Sequence, residues 1–126
     1  MKEKEAYGPL VLRIGFGILF LYTGISKLTN PAGTGDFLQS LGFPAPAFLA
    51  WVLLLSELIF GISVLLGWKL KFTVWPLALI LLIAGTVVAL PNANGSYVFT
   101  LFHLLGIAGL ISLYLTGPGA ASASKK

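Results

Sequence analysis

The chain has 126 residues, 57% of them hydrophobic and 10% charged, with a net charge of +4 and a mean hydropathy of +0.95. So small a share of charge excludes an ordinary soluble domain. The cations stand at the ends of apolar runs rather than in one patch, which excludes a nucleic-acid surface, and the absence of cysteine excludes disulfides, thiol exchange and thiolate-held metal.

Four apolar runs, residues 9–28, 46–66, 70–90 and 97–115, each approach the ~20 residues needed to cross a hydrocarbon core. They predict an all-α fold, a four-transmembrane-helix bundle forming a single domain over residues 1–126. Residues 1–8 are polar and interfacial, and Pro9 suits the first turn of the first span. That span is too long for a signal-peptide core, and Lys27 stands where a cleavage site would be, so it reads as retained. Arg13 and Lys27 lie only about 40° apart around the helix, with Gly17, Phe20 and Gly24 on the same stripe. A stripe with charge at both ends faces the bundle, not lipid.

Residues 29–35 form a turn-rich break, and residues 36–41 have helical spacing at Phe37, Leu38 and Leu41. They predict a short surface helix in the first outer loop; a plain loop is the other reading. The second span starts near Pro46, carries Glu57 at its middle and ends near Trp68. Lys69 and Lys71 flank a tight turn. The third span has no ionisable group between Lys71 and Pro91 and reads as packing, its Gly85-Thr86 included; Pro76 is accommodated in a first turn or kinks the helix. Residues 91–96 form an outer turn. The fourth span carries His103, Gly106 and Gly109, and residues 120–126 read as a disordered cationic tail. With Lys2, Lys4, Lys69, Lys71, Lys125 and Lys126 on one side, the positive-inside rule places both termini and the second loop in the cytoplasm.

Arg13, Lys27, Glu57 and His103 are the ionisable residues inside the spans, and each needs a partner or a purpose there. With untilted spans whose ends align, Arg13 and Glu57 lie ~6 and ~14 Å from the inner edge. Lys27 and His103 lie ~2 and ~9 Å from the outer edge, and Glu57 ~16 Å from it. These depths favour an Arg13–Glu57 ion pair within a polar column that continues through His103 to Lys27. Taken singly, Lys27 and Arg13 can also snorkel and His103 can be a satisfied core residue. Tyr22, Trp51, Tyr97 and Phe99 are candidates for an aromatic pocket or for interfacial anchors. No phosphate loop, metal-ligand spacing or covalent cofactor signal is present in the sequence.

At these residues the sequence resembles the DoxX family of small four-span prokaryotic membrane proteins. Leu12-Arg13-Ile14-Gly15, Phe20, Gly24 and Lys27-Leu28 match its first-helix pattern, and Leu41-Gly42-Phe43-Pro44-Ala45-Pro46 matches its loop. Glu57–Gly61 leading into Leu65-Leu66-Gly67 matches its second helix, and His103 stands where related sequences often carry a histidine. The resemblance implies a multi-pass protein of the cytoplasmic (inner) membrane, a subunit of a redox system that works with a partner protein or as a homo-oligomer and interacts with a quinone. On that reading Glu57 and His103 are the catalytic candidates, and Lys27, His103 and Tyr22 the quinone-binding ones. A non-enzymatic scaffold and a small lipid, solute or proton transporter are the alternatives.

Overall fold

The computed structural model describes residues 3–88 and 97–122. Among them are five α-helices: α1 (Glu3–Leu28), α2 (Pro31–Ser40), α3 (Pro46–Leu66), α4 (Leu70–Ile83), which runs on into a π-helical turn (Ala84–Val88), and α5 (Val98–Thr116). Four of the resulting segments are long and apolar enough to cross a membrane: Glu5–Leu28, Pro46–Leu66, Leu70–Val88 and Val98–Thr116. The expected four-helix bundle is therefore the fold. Ala89, Leu90 and the expected outer turn at 91–96 lie outside the described residues.

Three boundaries differ from expectation. The first helix starts at Glu3, so Pro9 lies inside it rather than in its first turn. The short helix starts at Pro31, because Asn30 accepts the Gly33 N–H at 3.0 Å and Pro31 follows as its first residue. What read as a turn-rich break is a capped helix start. The third difference is the tail, where residues 120–122 are held against α1, the Ala120 N–H donating to the Ala6 carbonyl at 3.0 Å. Residues 123–126 lie outside the described residues.

Helices α1 and α3 share the most extensive interface of the bundle. Glycine sets its closeness and its register. A β-carbon on Gly17 would stand 2.7 Å from Leu65 Cβ, one on Gly24 would stand 2.9 Å from the Leu58 side chain, and one on Gly61 would stand 3.0 Å from Phe20 Cβ. Gly17 thus faces Leu65, Phe20 faces Gly61 and Gly24 faces Leu58. The stripe expected to face inward does so: Arg13, Gly17, Phe20 and Gly24 are all buried. Gly17→Ala should cost about 1–3 kcal/mol, since the Leu65 backbone is as close as 3.2 Å and cannot rotate away. Gly15→Ala is the matched control, with nothing within 4 Å of its added carbon. Melting of both variants in detergent should show a loss for the first alone.

The core fills the half of the bundle where α1 starts and α5 finishes, here termed the terminal end. Phe16, Phe20, Val64, Val74, Leu77, Leu81, Leu110 and Leu113 pack together there. Phe16 fits against α5 because Gly109 leaves room for its ring. Toward the other end, the loop end, packing loosens and a cleft opens above Phe20 and Leu81.

Candidate functional site

The terminal end is closed by Arg13, which is 1% exposed. Its guanidinium donates to four backbone carbonyls: Pro118 and Ala120 at 2.7 Å from one nitrogen, and Leu65 at 3.1 Å and Ala121 at 2.9 Å from the other. Leu65 belongs to the last turn of α3, whose carbonyls lack intrahelical partners and form the negative end of the helix dipole. Gly67 ends that helix with φ +71, its N–H donating to the Val64 carbonyl and that of Trp68 to the Ser63 carbonyl. A side chain at Gly67 would also strike the guanidinium, at 2.8 Å from Nε. Arg13 therefore joins α1, the end of α3 and the returning tail.

The expected Arg13–Glu57 ion pair is not formed. Glu57 pairs instead with Lys27, whose Nζ donates to Oε1 at 2.9 Å and Oε2 at 3.2 Å. The α1–α3 register explains the exchange. It sets Glu57 level with Ile25, two residues or about 3 Å of rise from Lys27 and twelve residues or about 18 Å from Arg13. Aligning the span ends had underestimated the second distance, because α1 extends well past the end of α3. The Glu57 side chain is 4% exposed and that of Lys27 26%. The polar column consequently breaks in two, with Arg13 at the terminal end and the other three residues toward the loop end.

Those three converge. Lys27, Glu57 and His103 line one cleft of about 300 Å³, together with Thr23 and the apolar walls Leu19, Phe20, Ile80, Leu81 and Phe102. Leu19 is 45% and Phe102 61% exposed, so the cleft opens sideways between α1 and α5 onto the surface that faces lipid. His103 Nδ1 lies 2.6 Å from the Phe99 carbonyl. A carbonyl can only accept, so Nδ1 carries the proton, and in the neutral tautomer that this bond selects Nε2 is the acceptor.

Sequence reading missed the turn that seats His103. A β-carbon on Gly85 would stand 2.8 Å from His103 Cβ, so only glycine lets the two helices approach there. The Gly85 carbonyl, within the π turn, accepts from buried Thr100 Oγ1 at 3.0 Å. Single π turns of this kind occur often at functional sites. The Gly85-Thr86 pair was the available signal, although it read as packing.

The aromatic pocket is not formed. Tyr22 is 73% exposed and lies off the cleft, so its expected place beside a bound ring is corrected. A helix step of five residues from Lys27 turns it to the opposite face. Trp51, Tyr97 and Phe99 are exposed as well.

Comparison with known proteins bears on the whole chain. The inner membrane protein YqjF of Escherichia coli (strain K12) is 32% identical over 97% of this chain and 93% of its own length. The inner membrane protein YphA of the same organism is 29% identical over 93% of this chain and 88% of its own. A shorter match, 39% identical over 53% of this chain and 48% of the relative, is to a Bacillus subtilis (strain 168) protein named "Putative oxidoreductase CatD". No solved structure matches. The DoxX family model matches residues 8–90, a stretch that takes in most of the glycine-lined α1 together with Lys27, Glu57 and Gly85, and the chain belongs to the DoxX family.

Proposed function

We propose that this multi-pass membrane protein is a redox subunit of the inner membrane that holds a quinone head in the cleft between α1, α3, α4 and α5. The observation that supports this most is the convergence of Lys27, Glu57 and His103 on an apolar-walled cleft that opens toward lipid. Its volume stands at the lower limit for small-molecule sites, which suits a single ring better than a larger ligand. The sideways opening suits a ligand whose hydrocarbon tail stays in the bilayer. Likeness to the two inner membrane proteins supports the location, and likeness to the relative named an oxidoreductase supports the class.

A quinone bound there would accept two electrons from a redox partner protein and two protons, becoming the quinol. The chain supplies binding and protons. Lys27 donates a hydrogen bond to one ring oxygen while keeping its contact with Glu57. His103 would take up a proton from water at Nε2 and pass it to the other oxygen, its ring held by the Nδ1 bond to Phe99, and Lys27 would pass the second proton to its own oxygen and be reprotonated from water. Lys27 lies in the last turn of α1 and is partly exposed, so Glu57 reaches water through it.

The test is mass spectrometry of small molecules released from gently purified protein. A quinone near one per chain, lost in His103→Ala, is the expected result. Phospholipid alone, with no quinone, overturns the proposal. A second reading, a scaffold in which Lys27–Glu57 is purely structural, has the pair's place in the α1–α3 interface in its favour.

A further inference from the structure

A second pocket, of about 190 Å³, lies at the terminal end, away from the cleft. Its walls are the first turn of α4 (Leu70, Lys71), the last turn of α5 (Tyr114, Leu115, Thr116) and the turn at Gly117-Pro118. None of these residues is acidic. Lys71 is exposed and forms no ion pair with a described residue. The Tyr114 hydroxyl donates to no described residue, while its ring is fixed edge-on against Trp75 with centroids 5.2 Å apart.

Several polar groups beside this pocket are engaged: the Pro118 carbonyl accepts from Arg13, Thr116 Oγ1 donates to the Ser112 carbonyl at 2.9 Å and to that of Gly117 at 3.3 Å, and the Gly117 N–H donates to the Leu113 carbonyl. The pocket has two available side-chain donors, Lys71 Nζ and Tyr114 Oη, the first of them cationic. Its lipid-side lip, Leu115, is 74% exposed and apolar. A polar interior beside an apolar lip fits a ligand that is itself amphipathic.

We infer that this pocket binds the phosphodiester headgroup of an anionic glycerophospholipid, held by Lys71 Nζ and Tyr114 Oη with an acyl chain running down past Leu115. Basic pockets at the cytoplasmic ends of membrane helices take such headgroups, and the positive-inside reading puts the terminal end in the cytoplasm. The inference does not depend on the quinone proposal, since the two sites share no lining residue.

Lys69 provides the control. It carries the same charge at the same end but sits over the Trp68 ring, 4.8 Å from the centroid, outside the pocket. The experiment is native mass spectrometry of delipidated full-length protein titrated with phosphatidylglycerol, phosphatidylcholine of the same acyl chains, or inorganic phosphate as competitor. One tight phosphatidylglycerol step is expected, absent for phosphatidylcholine and undisturbed by inorganic phosphate. Lys71→Gln and Tyr114→Phe should each weaken that step about fivefold, and Lys69→Gln should not. Equal weakening by Lys69→Gln, or equal binding of phosphatidylcholine, overturns the inference in favour of general surface attraction. Displacement by inorganic phosphate overturns it in favour of a free-phosphate site. Both lysines are exposed and Tyr114→Phe keeps the ring contact, so all three variants are expected to fold, which their melting in detergent checks.

Discussion

Lys27→Met should lower the stability of the purified protein by about 3–5 kcal/mol, the cost of leaving a buried carboxylate without its countercharge. Glu57 is held in the α1–α3 interface with its side chain 4% exposed, and no other described cation pairs with it. Glu57→Gln should cost much less. The amide oxygen still accepts from Lys27, and an unneeded ammonium one residue from the end of α1 can turn outward along its stem. Lys27→Met combined with Glu57→Leu should recover most of the loss, because an apolar pair of similar volume avoids desolvation altogether. Thermal melting of the four proteins in one detergent checks the set. A larger loss in Glu57→Gln than in Lys27→Met would refute the assignment of Glu57 as the dependent partner. The same variants bear on function: if quinone retention survives in Glu57→Gln, the carboxylate is not needed for binding and its part in proton exchange is what remains to be measured.

Arg13→Lys should be nearly as damaging as Arg13→Met. The guanidinium serves four carbonyls at once with two nitrogens held in one plane, and a lysine offers three donors from a single point that cannot span Leu65 and the tail together. With charge-assisted bonds worth about 1.5–3 kcal/mol each and not additive, a total loss of at least ~3 kcal/mol is expected for either variant. The effect should be local. Hydrogen exchange should rise sharply at residues 117–122, including the Ala120 amide that donates to Ala6, while the half of α1 and α3 that carries Lys27 and Glu57 stays protected. Unchanged protection of the tail in Arg13→Met would show that backbone contacts alone hold it. Release of the tail would also free the Pro118 carbonyl and alter the second pocket, which gives an independent readout through lipid retention.

Much of this protein is legible in its sequence because membrane crossing is a matter of length and composition. The four spans follow from hydrophobic runs with few charges, since an unsatisfied backbone in hydrocarbon leaves helices as the only solution for such segments. The inward face of α1 follows from helical periodicity, because Arg13 and Lys27 share a stripe with two glycines and Phe20. That Glu57 needs a partner follows from its depth alone. Which cation it pairs with does not follow. That choice depends on how far α1 slides along α3, and the slide is set by contacts of Gly17, Gly24 and Gly61 with Leu65, Leu58 and Phe20. Span ends carry no information about it, because α1 and α3 differ in length and α1 overshoots.

The tertiary structure decided the rest for the same reason. Tyr22 turned to lipid because its place on the helix circumference is opposite the stripe that packs. The tail became ordered because a buried guanidinium needed acceptors that the helices could not provide, and residues 118, 120 and 121 provide three of them. His103 reached the cleft because Gly85 and the π turn allow α5 to approach α4 closely, a contact between helices that periodicity within one helix cannot express. Sequence determined which residues had to be buried; packing determined which of them meet.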